Sequence, residues 1–310
     1  MSNPRVVLIA GPTASGKSAL ALALAERLDG VVINADSMQL YRELRVLSAR
    51  PSPEDEVRAP HRLYGDVAGS DPFSVGRWLE RAVREIDAAR AADRTAILVG
   101  GTGLYFRALM QGLASVPDIP TEIRARWRQV ARERPPEELF RILSDCDPET
   151  AARIRPSDPQ RIVRALEVFE ATGRPLARWQ AGADQPALSP VSQAMRMVLT
   201  PDRTWLAERI ARRTSVVIEQ GAVEEVHQLR KLRLSAELPV MKAIGVAEIS
   251  ALLEGRSTVA AALDLMSRRT RQYAKRQATW IRGQMTDWPK INPAGVDVAE
   301  ILTRLSSTHP

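Results

Sequence analysis

The 310-residue chain has one cysteine, Cys146, and three histidines, His61, His227 and His309. A single thiol closes no internal disulfide, which fits a reducing compartment. Histidines scattered this widely offer no zinc-ligand spacing. Apolar runs are short. Val6 to Ala10 stops at a Gly-Pro turn, so it makes no secretory leader, and no stretch reaches the roughly 20 apolar residues that cross a bilayer. Internal repeats and low-complexity tracts are also missing. These absences predict a cytoplasmic protein with no membrane partner.

The composition is that of a folded chain, 45% hydrophobic and 26% charged, long enough for one large domain or two unequal ones. The 44 Lys and Arg outnumber the 37 Asp and Glu, for a net charge of +7. Nearly all of that excess sits between Leu265 and Lys290, where seven basic residues face one Asp, whereas residues 115–190 balance at 12 of each sign. An excess of this size permits a polyanionic partner.

Val6 to Ala10 is β-branched, apolar and bounded by turn residues, so it reads as a buried parallel strand. Ser18 to Leu28 has strong helix composition. Val31 to Ile33 makes a second strand ending in "NADS", Phe73 to Ala91 has helical spacing, and Ala96 to Val99 makes a third strand ending in "GGTG". Strands alternating with helices give a parallel sheet whose ligands lie at the carboxyl ends of its strands. Near Val116 the pattern changes. Pro117, Pro120, Pro135, Pro136, Pro148, Pro156 and Pro159 punctuate helical pieces, among them Leu139 to Ile154 and Arg161 to Glu170. Gly182 to Pro190 reads as a loop, and the next strand is Met195 to Leu199. The expected fold class is therefore α/β: a P-loop NTPase-like parallel sheet flanked by helices over 1–116 and 195–310, interrupted by an all-helical insertion over 117–194. From Thr204 onward long amphipathic helices dominate.

"GPTASGKS" fits G-x-x-x-x-G-K-[ST] at every position, with a strand before it and a helix after it. Gly11, Pro12, Thr13, Ala14, Ser15, Gly16, Lys17 and Ser18 would wrap a phosphate group with backbone N–H donors at a helix N-terminus. Lys17 would neutralise the terminal phosphate, and the Ser18 hydroxyl would sit on Mg²⁺. An ordinary P-loop ATPase also has an apolar strand ending in a metal-holding Asp. Here that strand ends in Gly100 and Gly101, and no Asn-Lys-x-Asp motif occurs, which shifts weight away from hydrolysis.

The carboxylate on offer is Asp36, at the end of the second strand. It could take a proton from a nucleophile attacking something held by the loop, or it could cap the next helix; Ser37 can cap equally well. Thr102, between glycines that allow close backbone approach, could donate to a leaving-group oxygen or simply shape a turn. Arg209 and Arg213 share one helical face. Either they clamp the ligand or they belong to a solvated, salt-bridged helix.

Five segments, "GPTASGKS", "NADSMQLY", "GGTGLY", "DPQRIVRALEV" and "KRQATWIRG", together resemble the tRNA dimethylallyltransferases, in that family's order and over nearly the whole chain. The resemblance implies transfer of a dimethylallyl group from dimethylallyl diphosphate to N6 of the adenosine 3′-adjacent to the anticodon, with diphosphate leaving. It implies Asp36 as the base, Thr102 and Arg213 as catalytic partners, and Mg²⁺ as cofactor. A tRNA anticodon stem-loop would meet Asp36, Ser37, Met38, Gln39 and Thr102 around the extruded base. Further contacts would come from Arg124, Gln160, Arg161, Ile162, Val163 and Arg164 in the insertion. The family suggests a monomer.

The basic helix adds Arg271, Lys275, Arg276, Gln277 and Arg282 to the expected RNA contacts, its cations spaced to track phosphates. Tyr273 and Trp280 on the same helix read as core anchors or as stacking platforms. Two segments depart from the family pattern: Val246 and Ala247 replace an aromatic and a basic residue, and "VLSARP" replaces Gly-Thr-Ala-Lys-Pro. Three alternatives stay open at this point: prenylation of free AMP or ATP, a small-molecule P-loop kinase, and a noncatalytic RNA-binding protein.

Overall fold

In a computed structural model, residues 6–182, 194–294, 301 and 303 are described. The chain divides into two units, Met1–Arg107 with Pro190–Pro310, and Ala108–Ser189. In chain order the strands are β1 (Val6–Ala10), β2 (Gly30–Asn34), β3 (His61–Arg62), β4 (Thr95–Gly100), β5 (Ala194–Leu199) and β6 (Lys290–Ile291). The helices before the second unit are α1 (Lys17–Arg27), α2 (Pro53–Arg58), α3 (Val75–Ala91) and α4 (Gly103–Gln111), the last running across the boundary. Within the second unit lie α5 (Thr121–Glu133), α6 (Pro136–Cys146), α7 (Pro148–Ala151), α8 (Pro159–Thr172) and α9 (Leu176–Ala181). After it come α10 (Arg203–Val216), α11 (Ala222–Lys231), α12 (Val246–Leu253) and α13 (Val259–Gln284).

The sheet has the order β3-β2-β4-β1-β5-β6, with every pairing parallel. β1, β2 and β4 are buried from end to end, because helices cover both faces. That is why their sequences run apolar instead of alternating. On one face Ala21, Leu22, Leu24 and Ala25 of α1 pack with Val7, Ile9, Val32, Ile97 and Met197. α3 buries Trp78, Ala82, Ile86 and Ala89, a single helical stripe. Trp78 stacks on Tyr105 at 4.1 Å between ring centroids, and its indole N–H donates to Asn34 O at 2.8 Å. Sequence propensity does not reveal β3 and β6, which are two residues each and exist only as partners for β2 and β5.

The second unit is all helical over its described residues and has its own core of Leu139, Leu143, Ile162, Ala165, Leu166 and Val168. The expected continuous helix from Leu139 to Ile154 is broken at Asp147. Pro148 drives the residue before it out of the helical region, to φ −138° and ψ 71°. The fully buried Asp147 carboxylate then accepts from Thr150 N at 2.9 Å and from Leu176 N at 3.3 Å. The expected loop over 182–190 lies, past Gly182, outside the described residues.

Register positions the site. Ala10 pairs with Gly100 and with Val198, while Asn34 pairs with Val99. The carboxyl ends of β2, β4 and β1 therefore finish level, and the three segments leaving them are neighbours. The fit is tight at Gly100, where a Cβ would lie 2.0 Å from Ala35 O. Gly100→Ala is expected to lower unfolding free energy by about 2 kcal/mol or more, because backbone cannot yield as a side chain does. At Gly283 an added Cβ meets nothing within 4 Å, so Gly283→Ala should be neutral or stabilising by up to about 1 kcal/mol. Urea denaturation of the two variants checks the contrast.

Candidate active site

The loop after β1 turns through two left-handed residues, Ala14 at φ 62° and Gly16 at φ 87°. This geometry points successive N–H groups into one concavity. Ser15 N donates to Pro12 O at 3.2 Å and Thr13 N to Gln277 Oε1 at 2.8 Å. The N–H groups of Ala14, Gly16, Lys17 and Ser18 take no hydrogen bond among the described residues. They stand at the N-terminus of α1, which carries no side-chain cap and no acid in its first turn. An anion supplies what is missing there.

Lys17 is buried and its Nζ donates to Pro12 O at 3.3 Å. Burial lowers its pKa to about 8; the Asp36 carboxylate opposes that shift and Arg213 adds to it. Arg213 Nη1 donates to Thr13 Oγ1 at 3.2 Å. Burial draws its guanidinium below the ordinary value, with Asp36 again opposing, yet an arginine stays charged. Arg209 Nε donates to Ala14 O at 3.0 Å, and its guanidinium lies 4.7 Å from the centre of the Trp205 ring. Neither Arg209 nor Arg213 forms an ion pair among the described residues, so the solvated salt-bridged helix is not what this face is. Lys17 and Arg213 bring two positive charges to one loop.

Asp36 faces this cluster half-buried. Its Oδ1 accepts from Met38 N at 3.0 Å, a turn in which an Asp holds its own backbone two residues on. Oδ2 has no hydrogen-bond partner among the described residues. No regular helix follows directly, so helix capping does not account for Asp36. The segment is pinned from both sides. Asn34 Oδ1 accepts from Asp36 N at 2.7 Å, and Ser37 N donates to Thr102 Oγ1 at 3.0 Å. Thr102 N in turn donates to Ala35 O at 3.2 Å. Burial first, and the Asp36 charge second, hold the phenols of Tyr64, Tyr105 and Tyr273 above their usual pKa. All three phenols stay protonated within reach of the carboxylate's charge.

The structure thus brings together Gly11 to Ser18, Asp36, Ser37, Thr102 and Arg213. Ser18 is exposed, and its hydroxyl is an oxygen donor of the kind Mg²⁺ takes; no cluster of three or more His, Cys, Asp or Glu able to hold a metal occurs among the described residues. Several expected contacts need correction. Gln277 is 6% exposed and engaged with the loop, so it is no RNA-facing residue. It belongs to the inward stripe Met266, Thr270, Ala274, Gln277 and Ile281, a helical spacing already present in the sequence. Ile162 is 0% exposed in the second unit's core and has no surface to offer. Gln39 is 8% exposed, its amide nitrogen donating to Ser48 O at 3.0 Å and Ala49 O at 2.7 Å.

Arg271, Lys275, Arg276 and Arg282 are exposed on α13. Trp280 is a packing residue, its ring filling the place of a Gly103 Cβ at 2.1 Å. On the second unit Gln160 and Arg161 are exposed, and Val163 and Arg164 are half-buried. Arg161 lies 3.3 Å from Asp158, Arg164 lies 3.5 Å from Glu167, and Arg124 lies 4.0 Å from Asp118. Asn34 and Arg209 are the site residues that sequence reasoning passed over or left undecided. No single-residue motif marks either one.

A glycine-rich phosphate loop with two cations beside it, and a carboxylate at the next strand's end, define a phosphate-binding α/β protein built to act on the bound group. The chain belongs to the IPP transferase family, whose model matches residues 39–284. It is 54% identical, over 91% of its length and 96% of the relative's, to a tRNA dimethylallyltransferase of Chelativorans sp. (strain BNC1). It is 52% identical, over 94% and 93%, to that of Azorhizobium caulinodans. A crystal structure of the tRNA isopentenylpyrophosphate transferase from Bacillus halodurans superposes with a TM-score of 0.71, at 31% identity, covering 99% of this chain and 97% of the other. A eukaryotic dimethylallyltransferase acting on tRNA superposes at 0.80, with 25% identity, covering 98% of this chain and 77% of the other.

The Lys17 environment fixes the sign of two pH effects. The free protein releases the Lys17 proton near pH 8, whereas a bound dianion holds it on. Affinity for inorganic diphosphate should therefore fall as pH rises through about 8, by at most about tenfold per unit for one linked proton. Titration calorimetry reads this, and the slope should vanish in Lys17→Ala. Stability moves the other way. An unfolded lysine keeps its proton to about 10.5, so between about 8 and 10.5 the unfolded chain holds more protons and Lys17's share of stability rises with pH.

Proposed function

We propose that this chain transfers a dimethylallyl group from dimethylallyl diphosphate to N6 of the adenosine 3′-adjacent to the anticodon in tRNA, releasing diphosphate. The observation that carries the reading is the unpaired Asp36 Oδ2 set next to a phosphate loop with two cations, in a chain whose relatives are tRNA dimethylallyltransferases. N6 attacks the allylic carbon, the C–N bond forms as the C–O bond to diphosphate breaks, and the N6 proton passes to Asp36. The amine is a weak nucleophile because its lone pair is delocalised into the purine, so removal of that proton lowers the barrier. Charge developing on the leaving oxygens is met by the loop N–H groups, Lys17, Arg213 and the Thr102 hydroxyl. Mg²⁺, when bound, would be held by Ser18 Oγ and the diphosphate, and would supply further neutralisation of the leaving group.

On the RNA side, Ser37 and Met38 would line the pocket for the extruded adenine. Arg271, Lys275, Arg276 and Arg282 would follow phosphates along α13. Arg124, Gln160, Arg161, Val163 and Arg164 are the insertion's candidates for the anticodon stem-loop. The same reading takes the protein to be a cytoplasmic monomer.

Incubation with dimethylallyl diphosphate and unmodified tRNA should give tRNA heavier by one dimethylallyl group, read by mass spectrometry; no mass gain refutes the reaction. Asp36→Ala should cut kcat by about 100-fold or more while leaving tRNA affinity within about twofold of wild type. An unchanged kcat would remove Asp36 as the base.

A further inference from the structure

The residue joining the two halves of the diphosphate cradle is not part of the phosphate loop or of the turn after β4. Gln277, on α13, accepts from Thr13 N at 2.8 Å through Oε1 and donates to Gly101 O at 3.0 Å through Nε2. Both partners fix the orientation of its amide, since one is a donor and the other an acceptor. The contact admits nothing larger at the turn. A Cβ on Gly101 would lie 2.1 Å from Gln277 Nε2. Thr102 follows immediately and holds the Asp36–Ser37 segment through Ser37 N.

Thr13 is gripped twice, at its N–H by Gln277 and at its hydroxyl by Arg213. Taking the Thr13 N–H out of the concavity leaves the N–H groups of Ala14, Gly16, Lys17 and Ser18 as the free donors. One side chain therefore ties the loop to the turn that bears Thr102, beyond the strand register and the 3.3 Å bond from Gly11 N to Gly100 O at their starts.

We infer that Gln277 is a positioning residue for the transfer reaction, an amide brace that holds the diphosphate loop and the Thr102 turn in the spacing that receives the allylic diphosphate. The inference rests on the reading of the loop as a diphosphate site. It makes Gln277 part of substrate affinity and leaves it no direct contact with the reacting atoms or with RNA. The adjacent Arg276 is exposed, so loss of RNA contact and loss of the brace can be tested on separate residues.

The test compares Gln277→Leu, which deletes both hydrogen bonds, with Gln277→Glu. The glutamate keeps the acceptor for Thr13 N, loses the donor for Gly101 O and adds negative charge beside the loop. Inorganic diphosphate affinity by calorimetry needs no turnover, so it reports on the brace even if the transfer reading fails. In Gln277→Leu it should weaken about tenfold, the scale of two buried hydrogen bonds partly replaced. In Gln277→Glu it should weaken more. The KM for dimethylallyl diphosphate should rise in parallel, with the Kd for tRNA unchanged within about twofold; Arg276→Ala should show the reverse pattern.

Diphosphate affinity equal to wild type in either folded variant overturns the inference. So does equal weakening of tRNA and diphosphate binding. Circular dichroism and thermal melting establish folding. If both variants fail to fold, Gln277 is a stability element and the inference is likewise overturned. A wild type that binds diphosphate but does not prenylate tRNA would refute the reaction and leave the brace standing.

Discussion

Everything at the site depends on how closely two backbones approach between β2 and β4. Gly100 has no room for even a methyl group against Ala35 O. That contact lets Ala35 accept from Thr102 N and lets Ser37 donate to the Thr102 hydroxyl. Had the strands been held apart by a side chain, Asp36 would leave its strand on a different path from the phosphate loop. Parallel register supplies the rest, because Ala10 and Gly100 are partners and the loop and the turn start level.

The electrostatics follow from what is buried there. Lys17 and Arg213 are brought out of water onto one loop, at a desolvation cost that appears as lowered proton affinity in both. A protein tolerates such a cluster when an anion completes it. Asp36 is the carboxylate whose charge acts on both cations, and its Oδ2 takes no hydrogen bond among the described residues. The surplus positive charge suits a diphosphate that gains charge as its bond to carbon breaks. Burial first, and the Asp36 charge second, keep the phenols of Tyr64, Tyr105 and Tyr273 protonated.

α13 does two things along one length. Its inward stripe of Met266, Thr270, Ala274, Gln277 and Ile281 is buried within the first unit, and Gln277 reaches the loop from that stripe. Arg271, Lys275, Arg276 and Arg282 stand exposed between those positions. The 3.6-residue period separates the two roles without a break in the helix. A buried polar side chain is the mark of the inward role, because burial demands that its polar atoms find partners, as Thr270 does in Met266 O and Gln277 in Thr13 and Gly101.

Much of this was legible from the chain alone. The phosphate loop, the strands before it and after it, the helical character of 117–182 and the position of Asp36 are local properties. They rest on turn chemistry, apolar runs and proline placement, which act over a few residues. The break at Asp147 was legible too, in Pro148, though the longer helix reading passed over it. What the tertiary structure decided is everything that depends on a partner far along the chain. Whether Arg213 clamps a loop or sits in solvent, whether Gln277 faces RNA or Thr13, and whether Ile162 is surface or core are settled by packing between segments separated by up to 264 residues. Residue type and spacing fix which face of a helix turns inward, but not what waits there. Only the close packing of helix on sheet assigns each buried polar group its partner.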